Sequence, residues 1–355
     1  MDDKKVDLAV VTSPRTIYYL TGYAGEPHER FLGLVLTRGG EPFMLVPELD
    51  LETVRSASRV QIVHTYSDTD NPYAVLTKQL ASSGADALGR IGIEKRAMSV
   101  ERFEQLSGAL QADEWIALDE LLAEMRARKS PEEIGHLRRA ARLTDQVLER
   151  VLPLIRPGVT ELELAAELEY QMKKLGADGP SFTTTVLSGA KSALPHGATG
   201  NRKVASGEWL LIDMGLYVNG YVSDITRTFA VSDVTDEQRQ LYELVLQANL
   251  QGIAAVRPQA RMMDVDRAAR QVIEAGGYGP YFNHRVGHGI GMDIHEYPSL
   301  HGTNEERLAE GMAITIEPGV YIPGTGGVRI EDDLVVTAAG SEILTLFDKH
   351  LTIVG

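Results

Sequence analysis

Asn219-Gly220 sits between two β-prone runs, and this dipeptide constrains the chain more tightly than any other feature. Asn-Gly specifies a two-residue type I′ hairpin turn, because both central residues take positive φ. With these two residues at the tip, the register places Gly215 opposite Asp224 and Asp213 opposite Thr226, unless a bulge shifts it. Residues two apart share a sheet face, so Asp213, Gly215 and Asp224 fall on one side. The two aspartates become diagonal cross-strand neighbours, roughly 7–8 Å apart at the backbone. Gly215, lacking a side chain, is expected to leave open space beside the Asp224 carboxylate.

Two carboxylates on one sheet face need a reason. A solvent-exposed polar face is the plain alternative in a chain with 50 Asp+Glu against 35 Lys+Arg. Against it, Trp209-Leu210-Leu211-Ile212 runs unbroken into Asp213 and reads as a strand covered on both faces. A carboxylate at the end of such a strand is not freely solvated, and its natural partner is a cation. Further donors recur downstream. Glu317 ends the strand-like run Ala313–Glu317 before Pro318-Gly319, and Glu331 is embedded in a strand over Val328–Thr337. His288 stands among Gly287, Gly289 and Gly291, which allow backbone or ligand to approach closely. Asp213, Asp224, Glu317 and Glu331 carry four negative charges, which two divalent cations neutralise, and His288 adds a neutral nitrogen. The chain has no cysteine, so thiolate metal sites, iron–sulfur clusters, disulfides and cysteine nucleophiles are excluded. Oxygen-rich ligation with one imidazole suits manganese, cobalt, iron or zinc. Two such ions about 3.5–4 Å apart activate water and stabilise an oxyanion, which is hydrolytic chemistry.

At about 150 residues per domain, 355 residues suggest two domains or three. Strand-like runs at Val6–Val11, Phe31–Thr37, Pro42–Val46, Arg59–Thr65 and Arg90–Glu94 alternate with helical segments, the first opening at Ser13-Pro14. They predict an α/β domain over 1–122. From 123 to 355 the order changes to helix pair, strands, helix pair, strands, which is α+β. Ser130/Glu133 and Thr160/Glu163 are capping boxes, and Thr235-Asp236-Glu237-Gln238 opens a third helix. A fourth runs from about Asp264 to Gly276-Gly277. The formal net charge of −15 disfavours nucleic acid and anionic membranes as partners. No apolar run reaches about 18 residues. Met1–Lys5 leads into a strand-like stretch without a signal-peptide pattern, so a cytoplasmic location is expected.

Asp213, Gly220-Tyr221-Val222-Ser223-Asp224-Ile225-Thr226-Arg227-Thr228, Gly287-His288-Gly289-Ile290-Gly291, His295-Glu296-Tyr297-Pro298, Glu317-Pro318-Gly319-Val320-Tyr321 and Gly327-Val328-Arg329-Ile330-Glu331-Asp332 form one set. Together they resemble the proline-specific M24 metallopeptidases, the group of prolidases (Xaa-Pro dipeptidases) and aminopeptidase P. The resemblance implies a pita-bread catalytic domain over 123–355 behind a smaller α/β N-terminal domain. The likeness of 1–122 is looser and rests mainly on Tyr18-Tyr19-Leu20-Thr21-Gly22-Tyr23.

Carried across, the resemblance implies Asp213, Asp224, His288, Glu317 and Glu331 as ligands of two divalent ions, with Asp224 and Glu331 bridging. It implies manganese, with cobalt, zinc or iron as alternatives, and Glu317 as general base. His196, in Leu194-Pro195-His196-Gly197, and His295 correspond to histidines that contact the substrate carbonyl. His284 is implied as a neighbour of the ligands, and Arg329 as a residue that orders Glu331 or binds substrate. Phe182, Ile290 and Tyr321 either line a pocket for the proline ring or pack in the core. His28, His64, His136, His301 and His350 have no such context. The implied substrate is a small peptide with proline second, whose Xaa-Pro bond has no N–H, and the implied assembly is a homodimer. One departure stands out: such prolidases place an arginine shortly after His-Glu-x-Pro, whereas Ser299-Leu300-His301 follows here and the next arginine is Arg307. The reading leans to an Xaa-Pro dipeptidase and leaves aminopeptidase P action on longer peptides open. A leading domain argues against methionine aminopeptidase. Five intact ligand positions argue against a creatinase-like hydrolase and a metal-free binding module.

Overall fold

The computed structural model describes residues 5–83 and 89–355, so the reading of Met1–Lys5 lies, apart from Lys5, outside the described residues. The chain divides into two compact units, Met1–Met125 and Arg126–Gly355.

In the first unit β1 (Leu8–Val11), β2 (Gly33–Thr37), β3 (Phe43–Pro47), β4 (Ile62–Tyr66), β5 (Arg90–Ile93) and β6 (Glu114–Ala117) form one sheet in the order β4-β3-β2-β1-β5-β6. β1 pairs antiparallel with β2 and parallel with β5, so the sheet is mixed. The turn between β2 and β3 uses Gly39 at φ 76°, a left-handed conformation that glycine takes without a Cβ penalty. Leu8, Val10, Leu45 and Ile91 pack with Leu76, Leu80 and Leu106 of the covering helices. The helix Pro14–Thr21 starts where Ser13-Pro14 indicated, but the Ser13 side chain does not cap it. Glu94, just beyond β5, instead accepts from the Thr12 and Ser13 N–H groups ahead of the helix at 3.0 Å and from the Thr16 hydroxyl in its first turn. A distant carboxylate thus sits near the positive helix end, where negative charge is favoured.

The second unit carries the helices Pro131–Val151, Glu161–Lys174, Asp236–Ala255 and Met262–Ala275. Ser130/Glu133, Thr160/Glu163 and Thr235/Gln238 each close a reciprocal capping box. Their strands are β7 (Gly179–Pro180), β8 (Thr185–Ser188), β9 (Trp209–Met214), β10 (Leu216–Val218), β11 (Tyr221–Val222), β12 (Ile225–Val231), β13 (Gly287–Gly289), β14 (Glu296–Leu300), β15 (Ala313–Ile316), β16 (Gly319–Ile322), β17 (Gly326–Arg329), β18 (Asp332–Thr337), β19 (Gly340–Ile343) and β20 (Ile353–Val354). They form sheets β20-β12-β9-β8, β14-β13-β15-β18-β19, β11-β10-β7 and β16-β17. This is the α+β class expected from the order of elements. β9 is covered on both sides. Leu210, Ile212 and Met214 meet Ala140, Leu164 and Leu168 of the first helix pair, while Trp209 packs with Leu241 and Tyr242 of the second. Among the described residues no helix is long and apolar enough to cross a membrane.

The hairpin forms as its dipeptide dictates. Asn219 and Gly220 sit at φ 50° and 75°, Val218 pairs with Tyr221, and Asp213 pairs with Thr226. Two expected strands are interrupted, however. The run Tyr221–Ala230 breaks between β11 and β12, and Val328–Thr337 breaks between β17 and β18. Glu331 therefore lies in a gap, not inside a strand. The open space expected at Gly215 is also absent: a Cβ there would stand 1.9 Å from the Ser223 carbonyl oxygen. Gly215 is needed because the backbone closes onto it where the hairpin kinks.

Candidate active site

Breaks in the strands let the donors converge. An uninterrupted strand sends successive side chains to opposite faces, whereas a break frees one residue from that alternation. Asp224 lies between β11 and β12, Glu317 between β15 and β16, and Glu331 between β17 and β18. Asp213 is the penultimate residue of β9, and His288 lies just before a register shift in β13. The glycines around His288 serve the neighbouring strands. A Cβ on Gly287 would lie 1.9 Å from the Thr315 carbonyl oxygen, and one on Gly289 would lie 2.3 Å from that of Tyr297.

Asp224, His288 and Glu331 offer donor atoms all within 4.8 Å of one another, and all three residues are buried. Glu317 joins them, its Oε1 3.4 Å from His288 Nε2, with Asp224 Oδ2 3.6 Å from the same nitrogen. His288 Nδ1 lies 3.1 Å from the Gly289 carbonyl oxygen, which can only accept. The ring proton therefore resides on Nδ1, and Nε2 presents its lone pair to the carboxylates. Asp213 pairs with the Arg329 guanidinium through Oδ2, while its buried Oδ1 has no hydrogen-bond partner among the described residues. Thr226 links two expected residues: its hydroxyl accepts from Arg329 Nε at 2.9 Å and donates to Glu331 Oε2 at 2.6 Å. Arg329 also donates to the Tyr321 hydroxyl at 3.0 Å, and His284 Nε2 lies 2.9 Å from that oxygen.

The electrostatics expose what this set lacks. Burial, then the charges of Glu331 and Asp213, push the Asp224 carboxyl well above its ordinary range. Glu331 is raised well above its range by burial and then by Glu317 and Asp213. Burial raises Glu317 to about 7, with Arg329 opposing, and raises Asp213 against the same arginine. Burial likewise lowers His288 to about 3 and His284 to about 4, so both imidazoles are neutral. Four acids converging with neutral nitrogen, and one aspartate oxygen left without a donor, are short of positive charge. Two divalent cations fit that deficit, and the all-oxygen-and-imidazole donor set fits hard or borderline metals.

The other expected residues occupy varied surroundings. His295 is exposed, its ring centroid 4.2 Å from that of His288 in an edge-on arrangement. His196 is exposed on the loop after β8, and its charge bears on His295. Tyr321 and Arg329 are buried, Ile290 is fully enclosed and Phe182 is half-buried. His64 packs edge-on against Phe43, and His136 stacks on Tyr221. Three supporting residues escaped the sequence reading. Thr226 was placed opposite Asp213 by the register without being given a role. Thr315 accepts the His288 N–H at 3.1 Å through its hydroxyl, and Asp333 accepts the Asp224 N–H at 2.9 Å. Only their alternation along a strand hinted at them.

Residues 135–338 match the model of metallopeptidase family M24, and residues 1–128 match the creatinase/prolidase N-terminal domain. YkvY of Bacillus subtilis is 41% identical over 345 residues, covering 97% of this chain and 95% of that protein. The chain belongs to metallopeptidase family M24. Two solved structures place this M24 chain further. An Xaa-Pro dipeptidase from Bacillus anthracis superposes with a TM-score of 0.93 at 34% identity, covering 99% of this chain and 96% of that one. An X-Pro aminopeptidase from Thermotoga maritima gives 0.90 at 29% identity, covering 98% of each. The pita-bread α+β class is thus that of this M24 chain, and M24 enzymes use divalent metal ions.

Proposed function

We propose that this M24 chain is an Xaa-Pro dipeptidase that hydrolyses the peptide bond before proline with two divalent ions, manganese first, cobalt, zinc or iron as alternatives. The observation that carries the reading is the buried convergence of Asp224, His288 and Glu331 with Glu317 beside His288. Similarity to the Bacillus anthracis Xaa-Pro dipeptidase supports the substrate class. Asp213, Asp224, His288, Glu317 and Glu331 would hold the ions. When bound, the ions polarise the scissile carbonyl and supply nucleophilic water near neutral pH. Glu317 takes the proton of the attacking water and delivers it to the departing proline nitrogen. His295 and His196, both exposed, donate hydrogen bonds to the carbonyl oxygen as it gains charge. Arg329 holds Asp213 and, through Thr226, Glu331 in place. Phe182 and the ring of Tyr321 contribute an apolar wall against the proline ring, while Ile290, fully enclosed, packs in the core; a tertiary amide presents no N–H, so an apolar wall suits it.

In this reading residues 1–122 form the N-terminal domain and 123–355 the catalytic domain, in a cytoplasmic homodimer. Its test is turnover of Xaa-Pro beside Xaa-Pro-Yaa by protein whose metal content is measured. Cleavage of the dipeptide with two equivalents of metal is expected. Cleavage of the tripeptide alone would reassign the chain as an aminopeptidase P, and sedimentation of an active monomer would remove the dimer.

A further inference from the structure

Arg285 occupies an unusual position beside this centre. It is half-buried and directly precedes Val286 and β13, and its Nη1 donates to the Ser299 hydroxyl at 3.0 Å. Ser299 on β14 pairs with His288 on β13. Directly paired residues share a sheet face, so the guanidinium is drawn to the face that carries the His288 imidazole. Its positive charge bears on His295, Glu317 and His288, so it lies within electrostatic reach of the acid cluster.

Other half-buried or buried arginines of this unit are matched by acids: Arg126 with Glu296, Arg227 with Asp332, Arg270 with Asp266 and Arg329 with Asp213. Among the described residues no carboxylate pairs with Arg285. A guanidinium has five N–H donors in a planar fork that matches a carboxylate, and here one goes to a neutral hydroxyl. Arg329 is already committed to Asp213, Thr226 and Tyr321. The first arginine after Pro298 is Arg307, which donates to the Gln259 carbonyl at 2.6 Å. Arg285 is therefore the cation with donors to spare at this face.

We propose that Arg285, steadied by Ser299, binds the terminal carboxylate of an Xaa-Pro dipeptide and thereby selects dipeptides over longer peptides. The inference rests on the Xaa-Pro reading above and deepens it. A longer peptide carries an uncharged amide where the dipeptide carries a carboxylate, so the fork distinguishes the two by charge.

The test compares an Xaa-Pro dipeptide with its C-terminal amide on the metal-loaded enzyme. Losing a hydrogen bond to a charged group costs roughly 10- to 150-fold in binding. Arg285→Gln is expected to lower kcat/KM for the free acid by that factor, mainly through KM, and to shrink the acid-over-amide preference correspondingly. The double variant R285S/S299R rebuilds a guanidinium from the paired strand and is expected to recover part of the preference, which also keeps the test open if R285Q folds poorly. An equal loss on acid and amide, or no loss on the acid, overturns the inference while the peptidase reading stands. Wild-type enzyme that cleaves neither substrate overturns the peptidase reading and the inference with it.

Discussion

Replacing Glu296 with alanine strips a buried lysine of its partner. Lys129 Nζ lies 2.7 Å from Glu296 Oε1, with side-chain exposures of 1% and 9%. The remaining bond of that ammonium is a 3.4 Å contact to the Ala127 carbonyl oxygen. Arg126 is better placed to survive the change, because it also meets Asp293 at 2.6 Å. Removing one member of a buried pair leaves an uncompensated charge and costs about 3–5 kcal/mol. For a unit the size of Arg126–Gly355, at about 2–4 °C per kcal/mol, the expected fall in Tm is roughly 6–20 °C. Thermal unfolding followed by calorimetry at neutral pH reads it. The double variant Lys129→Met/Glu296→Leu is expected to fall less than Glu296→Ala, since apolar replacement of both partners removes the stranded charge. The pH dependence has a definite sign. Burial raises the Glu296 carboxyl, but Lys129 and Arg126 outweigh it and hold the group below its usual range. Its contribution is therefore present above the ordinary carboxylate pKa of about 4.3 and lost as pH falls through the lower folded value. A Tm change under about 2 °C, or a double variant weaker than the single one, would refute the reasoning.

Asp224→Asn is expected to abolish turnover and metal uptake while leaving a folded chain. Measured without metal, its Tm should equal or exceed wild type, because one of four mutually repelling acids is neutralised. Gly287→Ala should disrupt the site-bearing sheet: the new Cβ meets the Thr315 carbonyl at 1.9 Å, and a backbone atom cannot swing aside as a side chain can. Soluble yield and unfolding midpoint check it, and wild-type stability would contradict that packing.

Much of the site was legible because its signals are local. Asn219-Gly220 dictates the turn, the turn dictates the register, and the register places Asp213 opposite Thr226 without tertiary information. The capping boxes are equally local, a hydroxyl and a carboxyl or amide three residues apart. Ser13 shows the limit of such reasoning, because its side chain makes no cap and its N–H turns to Glu94, 81 residues away in sequence. The strand breaks at Asp224 and Glu331 were invisible for a related reason: both runs are rich in β-prone residues, and the break answers to neighbouring strands.

The order of residues alone determined which donors exist, that no thiolate is among them, and how the hairpin pairs. Those properties depend on residue identity and on contacts across a few positions. Tertiary structure decided which face each donor takes, that Gly215 and Gly287 admit backbone rather than ligand, and that Arg285 reaches Ser299. Each depends on where separately folded strands come to rest against one another, and close packing between distant segments leaves no periodic trace in a single chain.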